Sequence, residues 1–290
     1  MKKKVLGIIL YIILIIFLIK VDDFAPFEDV TYYSDIKVED LKNINIDVAN
    51  VEVDIVTSPF DEIAITRTTS NRKNREISYS SNYVDNTLTI KQYRKKNIDD
   101  KLKDKLSIQI PENNRIEKLN LTMNDGKVLL NGVTAKETSL KTNNSLNLIV
   151  ENSNFNTLDI NAINIQSSLK NTVIDEMLTY DIAGGSINDN NVTGGEEKIT
   201  NTTKLEYFNE SSFFEKTNFL GKNVEISFIL SPSKNYYFTE VKNKLNKSYL
   251  DQTNTNYKYF KDEKSIKKYT INVNNNKIVN IEEQEKKEEI

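Results

Sequence analysis

A pattern of two short apolar stretches returns about every 20 residues between Pro111 and Gly195, and this repeat limits the fold more than any other feature. The first apolar stretch contains Leu119 and Leu121 in the first repeat and Leu140 in the second. It contains Leu158 and Ile160 in the third repeat, and Leu178, Tyr180 and Ile182 in the fourth. The second stretches are Val128–Leu130, Leu146–Val150, Ile163–Ile165 and Ile187. Units this small cannot bury their apolar faces alone and must stack on one another. The repeat therefore predicts a β-solenoid, with Leu140, Leu158 and Leu178 pointing inward and lying above one another.

The chain before Pro111 alternates apolar and polar residues with a period of two, which is typical of half-buried strands. The alternation begins at Ile44, Ile46 and Val48, and it ends at Leu106, Ile108 and Ile110. Turn residues such as Ser58-Pro59 and Asp85-Asn86 separate the runs. We therefore expect an all-β fold in which an N-terminal antiparallel β meander precedes the solenoid.

The end of the chain shows a further pair of alternating runs. Residues 269–273 and 277–281 flank Asn274-Asn275-Asn276, which predicts a β hairpin. The charged segment 282–290 follows, and we expect it to be a disordered tail.

Asparagine is unusually frequent, with 39 residues, and many lie where the repeat predicts turns. Examples are Asn143-Asn144, Asn152 and Asn190-Asn191. Asparagine tolerates left-handed backbone conformations, and its amide can form hydrogen-bonded ladders between coils. A genome of low GC content also favours Asn and Lys codons, so the placement at turns is more informative than the count.

An apolar run at the N-terminus, residues 5–19, follows Lys2–Lys4 and is closed by Lys20. Fifteen residues are short for a transmembrane helix, but Lys4 and Lys20 can extend the span by reaching toward the lipid headgroups. We therefore predict a single membrane-spanning helix within residues 1–21. The residues taken to mark this span are Val5, Leu6, Ile12 and Ile19.

The alternative for this segment is a cleaved secretory signal, although no pair of small residues typical of a cleavage site follows Ile19. Both interpretations export residues 21–290, because the positive flank stays in the cytoplasm. The predicted organisation is an anchor at residues 1–21, a stalk at 22–40, an ectodomain at 41–281 and the tail. We expect a single-pass protein of the cell membrane with a cytoplasmic N-terminus.

Composition excludes several classes of function. Residues 21–290 carry 35 basic and 42 acidic side chains, which does not favour a nucleic-acid partner. The absence of cysteine rules out disulfides and thiol nucleophiles, and the absence of histidine removes the commonest general base and transition-metal ligand. We expect no cofactor, no metal site and no catalytic residues.

Three segments combine alternating apolar residues with a following proline or turn: Leu41–Pro59, Leu106–Val133 with its Asp125-Gly126 step, and Val224–Pro232. Together they resemble the DUF4097 family of β-strand-repeat adhesins, which are frequently membrane-anchored. The resemblance covers residues 41–281, although Asn replaces the usual Gly at turns such as Asn143-Asn144. It implies a β-solenoid-like fold and a role at the cell surface or envelope, and it brings no catalytic residues.

Two motifs suggest chemistry only superficially. Residues 184–189 are similar to the calcium-binding nonapeptide of repeat toxins, but Ile187 replaces its third Gly, and the next Gly pair follows after ten residues. A tight solenoid turn is the ordinary explanation.

Ser-x-x-Lys, a pairing of nucleophile and base, occurs five times, as expected by chance in this composition. Its serines are Ser34, Ser70, Ser167, Ser231 and Ser265.

Adjacent carboxylates occur at Asp22-Asp23, Asp99-Asp100 and Glu196-Glu197, and they should point to opposite faces of a strand or lie in loops. A glycosidase pair assembled from distant coils stays open as an alternative.

Aromatic residues are concentrated in the last third of the chain, where they either form a binding face or fill the solenoid core. They include Tyr207, Phe208, Phe213, Phe214, Phe219, Tyr236, Tyr237, Phe238, Tyr257, Tyr259 and Phe260.

The function predicted from the sequence is a non-catalytic binding or scaffolding module at the cell surface. Its partner would be an envelope glycan or another surface protein. The alternative is an envelope enzyme that acts on polysaccharides from a β-helix.

Overall fold

The computed structural model describes residues 27–33, 41–69, 78–93, 104–221, 223–230, 236–239, 258–259, 269–273 and 277–283. These residues form 21 strands. The strands are β1 (Phe27–Tyr33), β2 (Asn43–Asp47), β3 (Asn50–Ser58), β4 (Ile63–Thr69), β5 (Ser78–Val84), β6 (Thr87–Tyr93), β7 (Asp104–Pro111), β8 (Ile116–Met123), β9 (Asp125–Asn131), β10 (Thr134–Thr142), β11 (Ser145–Glu151), β12 (Asn154–Lys170), β13 (Val173–Asn190), β14 (Thr193–Asn201), β15 (Leu205–Glu210), β16 (Phe213–Phe219), β17 (Val224–Leu230), β18 (Tyr236–Thr239), β19 (Lys258–Tyr259), β20 (Tyr269–Val273) and β21 (Lys277–Glu283).

We call one turn of the solenoid, about 20 residues, a coil. Each coil contributes one strand to each of two parallel sheets. In the middle of the molecule the first sheet contains β8, β10, the first halves of β12 and β13, then β14 and β16. The second sheet contains β9, β11, the second halves of β12 and β13, then β15 and β17. Because β12 and β13 continue through the corner, the described strands join into one 21-stranded sheet. The predicted all-β, solenoid-like fold is confirmed.

The register of the coils corrects one expectation. Leu158 pairs with Leu178 as predicted, but Leu140 pairs with Ile160, and Thr138 takes the place opposite Leu158. All three leucines are fully buried, so their inward orientation is confirmed. Inward-pointing residues at equivalent positions of successive coils form a column, and Leu140 lies in the column next to the one that holds Leu158 and Leu178. Neighbouring columns are two residues apart along a strand. Because the inward position equivalent to Leu158 is the polar Thr138, the apolar pattern assigned Leu140 to that position instead.

The predicted N-terminal meander is wrong for β2 and β3. β2 lies between β6 and β8, and β3 lies between β7 and β9, with every pairing parallel. Antiparallel pairing at this end joins β1 to β4, β4 to β7, and β5 to β6. Period-two alternation predicts a strand but does not distinguish a parallel from an antiparallel neighbour. β1 falls within the segment predicted as a stalk.

The predicted C-terminal hairpin is also wrong. β20 pairs with β16 and β18 in the first sheet, whereas β21 pairs with β17 in the second sheet. The two strands therefore form a coil, one strand in each sheet. β18 lies outside β20, and β19 pairs antiparallel with β18.

One corner of the solenoid repeats a left-handed residue in five successive coils. These residues are Gly132, Asn152, Asn171, Asn191 and Ser211, with φ angles from 49° to 74°. The amide of Asn171 donates to Asn152 Oδ1 at 3.4 Å, and that of Asn191 donates to Asn171 Oδ1 at 2.9 Å. Asparagine therefore combines the left-handed backbone with a ladder between coils, as the turn placement predicted.

The opposite corner, where each coil passes from the first to the second sheet, is also polar. Asn143 Nδ2 donates to Asn124 Oδ1 at 2.9 Å, and Asn144 Nδ2 donates to Asp125 Oδ2 at 3.2 Å. In β13 this corner is formed by Gly185, whose φ is 134°. A Cβ there would collide with the carbonyl oxygen of Ile165. A glycine is therefore required where β13 bends.

The predicted membrane helix lies outside the described residues. Within the part of the chain that the structure describes, no helix is long and apolar enough to span a membrane. Val5, Leu6, Ile12 and Ile19 thus stay a prediction from the sequence. The predicted disordered tail began at residue 282, but β21 continues to Glu283, and residues 284–290 lie outside the described residues.

Candidate functional site

Two rows of uncharged side chains lie on the outer side of the second sheet, where β11, β12 and β13 run side by side, and Glu151 and Lys170 follow on the same side. We call the two uncharged rows the neutral face and define it by Asn147, Ile149, Gln166, Ser168, Ser186 and Asn188. Four of these side chains are exposed, and Ile149 and Ser186 are half-buried. They form two rows, because Asn147 pairs with Gln166 and then Ser186, while Ile149 pairs with Ser168 and then Asn188.

Half-buried apolar side chains continue the second row at both ends. Leu129 of β9 pairs with Ile149, and Phe208 of β15 pairs with Asn188. With strands about 4.8 Å apart, the row from Leu129 to Phe208 is roughly 19 Å long. The surface therefore combines amide and hydroxyl groups with apolar contact area, over the length of an extended ligand.

Ion pairs border the neutral face on both sides. Toward the N-terminal end, Lys127 Nζ lies 3.1 Å from Glu52 Oε1. Toward the C-terminal end, Lys204 Nζ lies 2.9 Å from Glu206 Oε1 and 3.1 Å from Glu225 Oε2. The outer side of the first sheet is charged too, with Lys118 and Glu137 paired at 3.0 Å. Against this charged background the neutral face is distinct.

A second polar feature lies inside the solenoid, between the two sheets. Asp189 of β13 occupies the inward column that holds Leu169 in the preceding coil. Glu197 of β14 occupies the column that holds Leu178 in the preceding coil. Both carboxyl groups are fully buried, with 0% of each residue exposed. We call them the carboxyl pair.

Hydroxyl and amide groups surround the carboxyl pair. The Tyr207 hydroxyl lies 3.2 Å from Asp189 Oδ2 and 3.0 Å from Glu197 Oε2. Thr217 Oγ1 donates to Glu197 Oε2 at 3.2 Å, and Asn209 Nδ2 donates to the Tyr207 oxygen at 3.2 Å. The Tyr207 hydroxyl therefore lies within hydrogen-bond distance of both carboxyl groups.

Burial dominates the electrostatics of the carboxyl pair, because removal from water disfavours the charged form. It raises the pKa of Asp189 to about 7. Burial and then the nearby Asp189 raise the pKa of Glu197 well above its ordinary value. Burial, followed by the negative charge of Glu197 and Asp189, also raises the pKa of Tyr207.

The calcium-like segment 184–189 is part of β13, and its glycines form the corner described above. Asp189 points into the interior toward Tyr207. Among the described residues no group of three or more potential His, Cys, Asp or Glu ligands is assembled for a metal ion. The tight solenoid corner is therefore the interpretation that the geometry favours.

The other motifs are dispersed. Ser167 is buried and lies 3.1 Å from the Tyr180 hydroxyl, whereas the remaining four Ser-x-x-Lys serines fall outside the described residues. Glu196 and Glu197 point to opposite faces, since Glu196 accepts from Lys216 Nζ at the surface at 3.4 Å. Asp22-Asp23 and Asp99-Asp100 lie outside the described residues.

Most of the aromatic residues with described side chains fill the core. Tyr207, Phe214, Phe219 and Phe228 are buried, and the ring of Tyr207 packs edge-on against Phe219 with centroids 5.0 Å apart. Two of these aromatic residues are half-buried: Phe208, on the outer side of the second sheet, and Phe213, which packs against the core. No side chains are described for residues 236–238, 257 and 259–260.

A further polar network closes the N-terminal end of the stack. Asp104, which is buried, accepts hydrogen bonds from Arg67 Nη2 at 3.3 Å and from the Tyr79 hydroxyl at 3.1 Å. Gln92 Nε2 donates to the Tyr79 oxygen at 2.9 Å. Burial, and then the charge of Asp104, raises the pKa of Tyr79. This network joins β4, β5, β6 and β7.

Sequence reasoning missed both the neutral face and the carboxyl pair. The neutral face requires the register of three coils, which fixes the side of the sheet where each residue points. The carboxyl pair had a signal in the sequence, because Glu197 follows Leu158 and Leu178 at repeat spacing. A charged residue at an inward position of a solenoid calls for an explanation.

No family model matches the chain, and no curated protein matches it. Solved structures resemble it at low similarity. A "putative adhesin" from Parabacteroides distasonis is 12% identical, with a TM-score of 0.41 over 91% of this chain and 98% of that one. A "putative adhesin" from Bacteroides fragilis is 10% identical, with a TM-score of 0.38 over 91% and 99%.

A "putative cell adhesion protein" from Clostridium sporogenes is 10% identical, with a TM-score of 0.30 over 90% and 100% of the two chains. Membership of DUF4097 stays a prediction from the sequence.

Proposed function

We propose that this protein is a non-catalytic binding module that presents the neutral face to an uncharged glycan of the cell envelope. The observation that supports this is the run of Asn147, Gln166, Ser168, Ser186 and Asn188 on adjacent parallel strands, without a charged side chain among them. Parallel ladders and Asn corners hold these strands in fixed positions, so the surface needs little ordering on binding.

A neutral glycan matches the chemistry of this face. Amide side chains both donate and accept hydrogen bonds, as sugar hydroxyls do. Leu129, Ile149 and Phe208 add apolar contact area against which the C–H faces of sugar rings can pack. A charged polymer would gain little here, since phosphate or carboxylate recognition depends on clustered Arg and Lys.

The proposed location is the outer side of the cell membrane, with residues 5–19 as the anchor and the solenoid exported. The support is the sequence pattern, in which Lys2–Lys4 precede the apolar run. Protease added to intact cells without a wall should digest residues 21–290, and full protection of the chain would refute export.

The glycan proposal is tested with a triple variant of the neutral face, Asn147→Ala, Gln166→Ala and Asn188→Ala. Full-length wild-type protein should bind an insoluble preparation of uncharged envelope polysaccharide in a sedimentation assay. The triple variant should lose at least tenfold in affinity, because each exposed hydrogen bond contributes about 0.5–1.5 kcal/mol. Circular dichroism and the melting temperature establish that the variant is folded.

The matched control changes the outer side of the first sheet, by Thr122→Ala, Ser139→Ala and Thr179→Ala. This control should bind as the wild type does. The proposal fails if the wild-type protein ignores all uncharged polysaccharides, or if both triple variants bind equally well. Binding to a purified surface protein through the same face, with no binding to glycan, would assign a protein partner instead.

The enzyme alternative gains no support from the carboxyl pair. Asp189 and Glu197 are shielded from solvent between the two sheets, so they cannot reach a glycosidic bond. A general acid and a nucleophile or base must flank a bound sugar.

A further inference from the structure

The hydrogen bonds around the carboxyl pair cannot all be satisfied by the protons of its neighbours. The Tyr207 hydroxyl has one proton but lies within hydrogen-bond distance of both Asp189 Oδ2 and Glu197 Oε2. Asn209 already donates to the Tyr207 oxygen. If both carboxyl groups were ionised, one of the two contacts would set oxygen against oxygen without a proton between them.

The other two carboxyl oxygens give the same result. Asp189 Oδ1 and Glu197 Oε1 are buried and accept no hydrogen bond from a donor among the described residues. Neither buried carboxyl group therefore has the donors that an ionised carboxylate needs in the interior. A proton on one of them supplies the hydrogen that is missing from its contact with the Tyr207 oxygen.

We propose that Asp189 and Glu197 form a buried proton-binding site, in which one of the two carboxyl groups carries a proton that stabilises the coils from β13 to β16. Loss of that proton at alkaline pH would leave two negative charges side by side in the core. The site is independent of the glycan proposal, because it lies on the inner side of the sheets.

Among the described residues, no cationic side chain faces the carboxyl pair in place of the proton. The groups that face the pair are the hydroxyls of Tyr180, Tyr207 and Thr217 and the amide of Asn209. Tyr180 and Tyr207 are the titratable groups among them, and both stay neutral because burial raises the pKa of each. Within the described part of the chain, neither carboxyl group forms an ion pair with Lys or Arg.

The direction of the pH effect follows from proton counting. Both pKa values are raised in the folded state, so the folded protein holds more protons than the unfolded chain once the pH exceeds the ordinary carboxyl range. The stabilisation is complete below that range and is lost as the pH rises through about 7 and above. Each extra proton held by the folded state changes the folding equilibrium constant about tenfold per pH unit.

The experiment compares urea unfolding of the full-length protein at pH 6 and pH 8, in a mild detergent, by far-UV circular dichroism. The folding equilibrium constant of the wild type should fall about 100-fold, for one proton held over these two pH units. In Asp189→Asn/Glu197→Gln this fall should largely disappear. Glu197→Gln alone, in which an amide replaces the protonated carboxyl group, should be at least as stable as the wild type at pH 8.

Infrared spectroscopy provides a direct readout. At pH 6 the wild type should show the C=O stretching band of a protonated carboxylic acid that the double amide variant lacks. The surface control Asp175→Asn/Glu176→Gln, at exposed positions of β13, should keep both the band and the pH dependence. The proposal is overturned if the band is absent from the wild type, or if the double variant keeps the full pH dependence. It is also overturned if a chelator removes the stabilisation and calcium restores it.

Discussion

Thr138 offers the sharpest test of the solenoid register. Its column in the first sheet contains Leu119, Thr138, Leu158, Leu178, Glu197 and Thr217 in successive coils. Thr138 is 1% exposed, and its hydroxyl has no hydrogen-bond partner among the described residues. A buried hydroxyl without a partner costs about 1–3 kcal/mol. Valine has nearly the same shape, so Thr138→Val should stabilise the protein by about 1–2 kcal/mol.

Thr217 provides the matched control in the same column. Its hydroxyl donates to Glu197 Oε2 at 3.2 Å. Thr217→Val removes this donor from a buried carboxyl group and should destabilise the protein by about 1–3 kcal/mol. The same chemical change should therefore have opposite signs at two positions four coils apart.

Urea unfolding followed by far-UV circular dichroism at pH 6 measures both variants. Equal m values are required before midpoints are compared, because stacked repeats can unfold in more than one step. In a melting experiment, 1 kcal/mol corresponds to about 2–4 °C for a domain of this size. A lower midpoint for Thr138→Val, or shifts of the same sign in both variants, would refute the register.

Three further predictions concern the core, the corner and bound ions. Leu158→Asp buries a charge without a partner and should abolish cooperative thermal unfolding, so a wild-type melting curve would contradict the inward position of Leu158. Gly185→Ala, which sets a Cβ against the Ile165 carbonyl, should lower stability by about 1–3 kcal/mol in urea, and an unchanged midpoint would contradict the corner geometry. Excess chelator should leave the melting temperature unchanged, whereas a drop of more than about 4 °C would indicate a structural cation, with Asp189 as its first candidate ligand.

The solenoid could be predicted because its signal is local and repeated. Leu158 and Leu178 are 20 residues apart and pair across adjacent coils, so the period of the apolar pattern equals the length of a coil. The left-handed corners could be predicted for the same reason, since Asn152 and Asn191 occupy equivalent positions of their coils. In each case the pattern within one coil is repeated by the next.

The order of the strands and the buried polar contacts could not be predicted from the sequence, because they depend on pairs of residues that are distant along the chain. The alternation around Ile44 fits a meander as well as a coil, and only its pairing with Leu119 decides between them. The carboxyl pair likewise depends on how Asp189 and Glu197 face one another across two sheets. No fixed spacing in the sequence predicts that these two carboxyl groups lie close together or that the Tyr207 hydroxyl contacts both of them.

The order of the strands in space explains how the ends of the solenoid are protected. β2 and β3 come early in the chain but lie inside the stack, while β4 and β5 pass outside and cover β7 and β6 in antiparallel fashion. At the other end β18 lies outside β20, which follows it in sequence. A parallel strand left at an end would expose unpaired backbone groups to other chains.

This arrangement has a consequence for folding. Because β2 and β3 pair on one side with β8 and β9 and on the other with β6 and β7, they cannot be completed until a long excursion of the chain has returned. Closing such a loop costs entropy before its contacts form. The regular coils from β10 to β16, whose pairings join consecutive coils, should therefore form first, and the N-terminal coils should dock on them afterwards. Pulsed hydrogen exchange during refolding should protect Leu158 amides before those of Ile44, and the reverse order would show that the N-terminal coils nucleate the fold.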